Sequence, residues 1–495
     1  MKIQILQIGS RDWTSAYTYP KEISIVHTDS VVLSNDIYEI VILERNLTRE
    51  EADKIYEMSY SYCLFVVDSV DMDSNTRQLF DRRMGQVLVA SDIEKFLNED
   101  AKYYFTYINS EKYNHQEISI SRGFKGKINW QGNYSLSLNG DFGAQFNQAA
   151  FWRNNIILEE NQAIEFWLEY KKDAGVEISF SVKQFLSDTI SDLINSWEFS
   201  EEDLKQPVVI LGDKGKGPIF CSVNAMGSGR LDIISLHARV SRIDKGTFLV
   251  GGQRHVTSDR EEIFSYFDPG DMKPPLAVYF SGYKKKEGFE GYKMMRKLGC
   301  PFLLISEQRF EGGGGYLGSE EFEATIVKII ETYMNKLGFF QDQLILSGIS
   351  IGAVGAMYYG CDLRPYALLI GKPLASLGDV AANERLKRPQ GFPTSLDLLQ
   401  HFAGSLDETA VEKMNKRFWD KLKSASFGNT KFIVSYMFED DYDATAYEKL
   451  ISEMNSYGVQ IYGKGLHGRH NDNTEGIVAW FKGQYERIVK ENFSR

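Results

Sequence analysis

Gln343-Leu-Ile-Leu-Ser-Gly348-Ile-Ser350-Ile-Gly352-Ala-Val-Gly355 is an apolar run that passes through G-x-S-x-G into a stretch of small residues. The first part reads as a buried strand and the last as a helix packed closely against it. A nucleophile elbow needs this order. The serine sits on a strained turn, and Gly348 and Gly352 remove side chains that would strike the neighbouring strand and helix. The hydroxyl is then presented at the carboxyl end of a sheet, where open α/β sheets place their active sites.

A serine hydroxyl is a poor nucleophile at its own pKa, so Ser350 requires a histidine base and a carboxylate behind it, in the chain order serine, acid, histidine. Both follow. The strand Lys431 to Phe438 ends in Glu439-Asp440-Asp441-Tyr442-Asp443, with Asp440 the leading acid and Glu439 the alternative. Asp441 and Asp443 are read as caps for a helix beginning near Ala444. The next strand, Val459 to Gly463, leads to His467 and His470 just before the final helix, Thr474 to Asn492. His470 is preferred because it lies nearer that helix and is followed by the turn-forming Asn471-Asp472. For the oxyanion hole the candidates are the backbone of Ile351 and the Gly282-Tyr283 loop. Gly312 to Gly315 reads either as a cradle for substrate or as a linker.

Around the elbow, strands at 276–280, 302–305, 366–370 and 432–437 alternate with helices. One of these is 319–337, with Ser319 as N-cap and Gly338 as its stop. Residues 265–495 are therefore expected to form an α/β-hydrolase-like doubly wound sheet. Before them the period is two. Ile164, Phe166, Leu168 and Tyr170 alternate with Glu165, Trp167 and Glu169, and Val176 to Val182 do likewise. Residues 106–264 thus read as an antiparallel β-sandwich resembling a carbohydrate-binding module. Trp167 falls on the polar face with Glu165 and Glu169, where an exposed ring could stack on a sugar. Residues 1–105 alternate strand and helix as a Rossmann-like or flavodoxin-like α/β layer without GxGxxG after Gly9, which favours a scaffold or docking role over cofactor binding.

The chain of 495 residues is long enough for about three domains, and its 43% hydrophobic content argues against disorder. A net charge of -12 argues against nucleic-acid binding, which needs a concentrated basic face. Cys63, Cys221, Cys300 and Cys361 lack metal-ligand spacing, so they read as reduced buried thiols, and no metal is expected. The first ten residues form a strand pattern and not a signal peptide. No run reaches the roughly 18 apolar residues needed to span a bilayer, so a cytoplasmic protein with at most peripheral membrane contact is expected.

Val278-Tyr-Phe-Ser-Gly-Tyr283, Glu287-Gly-Phe-Glu-Gly-Tyr292, Gly299 to Leu304, the elbow, and Gly468-Arg-His470-Asn-Asp472 together resemble the second of the accessory Sec proteins. That family serves the dedicated export of serine-rich repeat glycoprotein adhesins in Gram-positive bacteria. The resemblance implies an α/β-hydrolase-like domain that O-acetylates N-acetylglucosamine on the adhesin. It also implies partnership with the sibling accessory proteins and the accessory Sec motor ATPase. Its Ser, acid and His map onto Ser350, the Glu439-Asp440 pair and His470. No tightly bound cofactor is expected; the residues leave the acyl donor open, with acetyl-CoA one candidate. They also fit a carbohydrate esterase, or a non-catalytic adaptor of the export complex.

Overall fold

The computed structural model describes residues 2–31, 36–107, 110–154, 156–186, 189–455 and 458–493. Among these the strands form three sheets. The chain divides into two compact units. One comprises 1–107, 244–284 and 289–495, and the other 108–243 with 285–288.

In the first unit, β1 (Ile3–Ile8), β2 (Ile23–Thr28), β3 (Ile40–Leu43), β4 (Leu64–Val67) and β5 (Gln86–Leu88) form a parallel sheet in the order 2-1-3-4-5. That is the flavodoxin-like order and not the Rossmann one. The helix Arg49–Met58 is opened by a Thr48–Glu51 capping box, and its Ile55 and Met58 join β3 and β4 in one apolar cluster. This layer is not a body of its own, as the sequence suggested. Asp268, fully buried, accepts from Ser61 Oγ at 2.7 Å and lies 3.8 Å from Arg83 Nη1, and Tyr62 donates its phenol to Phe267 O. A buried charge needs such partners, which ties the layer to the larger sheet.

The second unit is antiparallel. Its strands are β6 (Ser110–Asn114), β7 (Ile118–Ile120), β8 (Lys127–Gln131), β9 (Ser135–Trp152), β10 (Ile156–Leu158), β11 (Ala163–Lys172), β12 (Val176–Leu186), β13 (Thr189–Ser200), β14 (Val208–Leu211) and β15 (Gly217–Val240). They form one continuous sheet rather than two separate ones, because β15 pairs with β12 along its first half and with β11 along its second. Bulges on β15 between Val223 and Ser228 let the strand bend, so a single sheet can enclose a single core.

Trp167 is 1% exposed, which overturns its reading as a surface sugar platform. Alternation does set it opposite Phe166 and Leu168, but its own face is not wet. That face carries His237 (0% exposed), Glu169 and Arg239, together with Glu287 from the 285–288 segment. Among the described aromatics of this unit, Trp130 on β8 and Phe146 on β9 are the exposed ones, at 45% and 47%.

The remaining strands are β16 (Gln253–Val256), β17 (Glu262–Asp268), β18 (Leu276–Phe280), β19 (Phe302–Glu307), β20 (Leu344–Ile349), β21 (Ala367–Gly371), β22 (Lys431–Met437) and β23 (Gln460–Leu466). They form an eight-stranded sheet in the order 16-17-19-18-20-21-22-23. β17 runs antiparallel to β19, and the pairs from β19 to β23 are parallel. β16 and the start of β17 lie within residues assigned above to the sandwich. A period-two strand reads the same in either sheet, so the boundary near 265 gives way to one near 244. The helices Leu377–Leu386, Thr394–Ala403 and Glu408–Ser424 are inserted between β21 and β22 as a cap.

Candidate active site

β20 ends at Ser350, which has φ 57° and ψ −119°, and the helix Ile351–Leu363 starts at the next residue. A non-glycine residue in this region costs about 1–3 kcal/mol, so the surrounding structure must enforce it. Both flanking glycines are required. A Cβ on Gly348 would lie 2.2 Å from Gly352 O, and one on Gly352 would lie 2.3 Å from Phe280 O. The helix N-terminus presents the Ile351 N–H beside the hydroxyl, at the positive end of the helix dipole.

Ser350 Oγ lies 2.8 Å from His470 Nε2, and His470 Nδ1 lies 2.8 Å from Asp440 Oδ2. The imidazole is 2% exposed, while Ser350 is half-buried. Asp440 Oδ1 also accepts the backbone N–H groups of Tyr442 (2.9 Å) and Asp443 (3.1 Å). Burial resists ionisation of Asp440, but its hydrogen bond to His470 and these two donors outweigh that and hold its pKa below the usual value. A carboxylate in this position orients the ring and stabilises an imidazolium.

The structure does not bring Glu439 or His467 into this group. Glu439 accepts from His467 Nδ1 at 3.0 Å and from Gly468 N at 2.6 Å, forming an exposed pair. Asp443 does not cap the following helix, which begins at Ala446. It is buried and accepts the N–H groups of Ala375 and Ser376. Asp441 accepts the main-chain N–H of His470 at 3.0 Å and pairs with Arg388 at 2.5 Å. Sequence reasoning missed Arg388, which lies between the first two cap helices with no motif around it. It missed Lys372 too, whose Nζ donates to Asp472 O (2.9 Å) and Thr474 Oγ1 (3.2 Å) and so steadies the histidine loop.

The two members of the predicted oxyanion pair on the β18 loop differ. The Gly282 N–H donates to Glu290 Oε2 at 2.6 Å, so it is already committed. The Tyr283 phenol donates to Glu311 Oε1 at 3.0 Å. The glycine-rich segment is anchored by Glu307, whose Oε1 accepts the N–H groups of Gly314 and Tyr316. Tyr283 packs where a Cβ on Gly312 would fall. The four cysteines are buried and outside any disulfide. Among the described residues, no group of three or more His, Cys, Asp or Glu is placed to hold a metal, and no helix is long and apolar enough to cross a membrane.

The sequence profile of the accessory Sec system GspB-transporter family matches residues 3–495. The chain belongs to that family. It is 38% identical over 507 residues to an accessory Sec system protein of Streptococcus gordonii, covering all of this chain and 99% of the relative. It is 33% identical over 514 residues to that of Staphylococcus aureus, covering 98% of the relative. A chain of the Glycosylation Associate Protein (Gap123) complex from Streptococcus agalactiae superposes with a TM-score of 0.87 at 33% identity, over 100% of this chain and 99% of that one. The likeness to these relatives in sequence, and to the Streptococcus agalactiae chain in fold, thus runs from end to end of the chain.

Proposed function

We propose that the chain is a serine-dependent O-acyltransferase that acetylates N-acetylglucosamine on a serine-rich repeat glycoprotein adhesin and supports the export of that adhesin. The observation that carries this reading is the unbroken hydrogen-bond chain from Ser350 through His470 to Asp440. His470 Nε2 takes the proton of Ser350 as Oγ attacks the acyl carbonyl of a donor such as acetyl-CoA. The same proton passes to the departing thiol. A sugar hydroxyl then gives its proton to His470 and attacks the acyl-enzyme, and Ser350 Oγ leaves with that proton, restoring the starting state. Developing negative charge on the carbonyl oxygen would be met by the Ile351 N–H and, since Gly282 is engaged, by that of Tyr283.

Family membership supports the export context, and the relative solved within the Gap123 complex supports sibling accessory proteins as partners. The motor ATPase and the glycosylated adhesin complete the proposed set. Action would be in the cytoplasm, peripherally at the translocase. In the test, the glycoprotein is coexpressed with the intact chain or with Ser350→Ala, and its glycans are weighed by mass spectrometry. Acetyl groups should disappear with the variant while binding to the sibling proteins persists. Full acetylation by the variant would leave only the adaptor reading, and acetyl-CoA cleavage without transfer would favour an esterase.

A further inference from the structure

His470 is gripped by residues outside the serine–histidine–aspartate chain, and both grips lead to one side chain. The main-chain N–H of His470 donates to Asp441 Oδ1 at 3.0 Å, and Asp441 Oδ2 pairs with Arg388 Nε at 2.5 Å. The imidazole stacks on Tyr442 with ring centroids 4.2 Å apart and planes 12° apart, and the Arg388 guanidinium lies 3.9 Å from the centroid of that same ring. Two planar groups this close to one centroid must occupy opposite faces, so Tyr442 is held between His470 and Arg388. The phenol is fixed at its edge as well, donating to Gly391 O at 2.8 Å and accepting from Asn471 Nδ2 at 3.1 Å.

We propose that Arg388 is a positioning residue for His470, setting the backbone of the imidazole through Asp441 and the plane of its ring through Tyr442. The inference rests on the acyl-transfer reading of Ser350. A guanidinium offers Nε to the carboxylate while its planar head covers the aromatic face, a combination that the compact, strongly hydrated lysine ammonium reproduces poorly. Because Arg388 lies in the cap, the placement of His470 depends on how the cap is seated.

The test uses the full chain and the release of p-nitrophenol from p-nitrophenyl acetate. Arg388→Gln should lower kcat about 10-fold with KM within about twofold, because ring placement is lost and no substrate contact is removed. Arg388→Lys should do the same. Tyr442→Phe, which keeps the ring, should recover most of the rate that Tyr442→Leu loses, and adding Asp441→Asn to Arg388→Gln should cost little more. An Arg388→Gln enzyme with kcat within about twofold of the parent, or with a rise in KM in place of the fall in kcat, overturns the proposal. Should Arg388→Gln not fold, equal rates for Tyr442→Phe and Tyr442→Leu overturn it. The underlying reading fails separately, if Ser350→Ala retains turnover.

Discussion

His237 in the antiparallel unit and His470 at the rim of the eight-stranded sheet have the same kinds of neighbour. His237 Nδ1 meets Glu287 Oε1 at 2.5 Å and its Nε2 lies 3.1 Å from Ser235 Oγ, so a search by residue type alone would return two triads. Three differences separate them. Ser235 is 1% exposed and donates its proton to Glu169 at 2.6 Å, whereas Ser350 is half-buried and faces only the imidazole. His237 has a second carboxylate, Glu169, at 3.4 Å, and Arg239 pairs with Glu287 at 2.8 Å, which closes the cluster. Ser235 lies within a strand, while Ser350 sits on a strained turn just past the end of one. The proposed reactivity goes with the histidine that has one carboxylate and an open hydroxyl. The histidine with two is locked into a closed, buried charge cluster.

The comparison breaks if the two serines behave alike. Ser350→Ala should remove essentially all acyl transfer, and Asp440→Asn should lower kcat by about 10²–10⁴-fold through the wrong tautomer, as read by single-turnover acetylation. Ser235→Ala should leave the rate unchanged. The largest stability effect belongs to the other cluster. Glu287→Ala removes the carboxylate that both His237 and Arg239 meet at short range and should cost about 3–5 kcal/mol, measured by urea unfolding with tryptophan fluorescence.

A pH series sharpens the point. Burial opposes the charge on His237, but Glu287 and Glu169 outweigh it and raise its pKa. A raised folded-state value gives stability that is complete below about 6.5 and lost as pH climbs through the folded value. Burial likewise opposes ionisation of Glu169 and Glu287, but His237 brings Glu169 down to about 2, and Arg239 with His237 lowers Glu287 further. Their contribution is present above the ordinary value of 4.5 and lost as pH falls toward the folded ones. The unfolding midpoint of this unit should decline on both sides, and Glu287→Gln should flatten both slopes. The smallest effect is that of Glu439→Gln, whose carboxylate serves the exposed His467 and the Gly468 N–H, and activity should stay within about twofold.

The elbow was legible because strand, turn and helix each leave a local mark; Gly348 is explained by Gly352 four residues on, whereas Gly352 answers to Phe280 on β18. The acid and the base were legible to within a residue or two, since their strands end where the fold needs them. Which carboxylate turns inward was not. Glu439 and Asp440 differ by one step along a turn, and only the position of His470 distinguishes them. Trp167 shows the limit of alternation, which separates two faces without saying which one meets water. The burial of its face depends on Glu287, some 120 positions along the chain. Arg388 and the commitment of the Gly282 N–H to Glu290 depend on contacts that no spacing rule encodes. The membership of β16 and β17 was lost in the same way.

The chain leaves its larger unit at residue 107 and does not rejoin it until 244. On the ribosome, therefore, the flavodoxin-like layer emerges long before Asp268, the buried partner of Ser61 and Arg83, has been made. The antiparallel unit lacks only 285–288 when its last strand appears, so it is placed to condense first. The N-terminal layer must wait, with the surface that will meet Asp268 and Phe267 uncovered, and any factor that shields nascent chains would find its target in that interval.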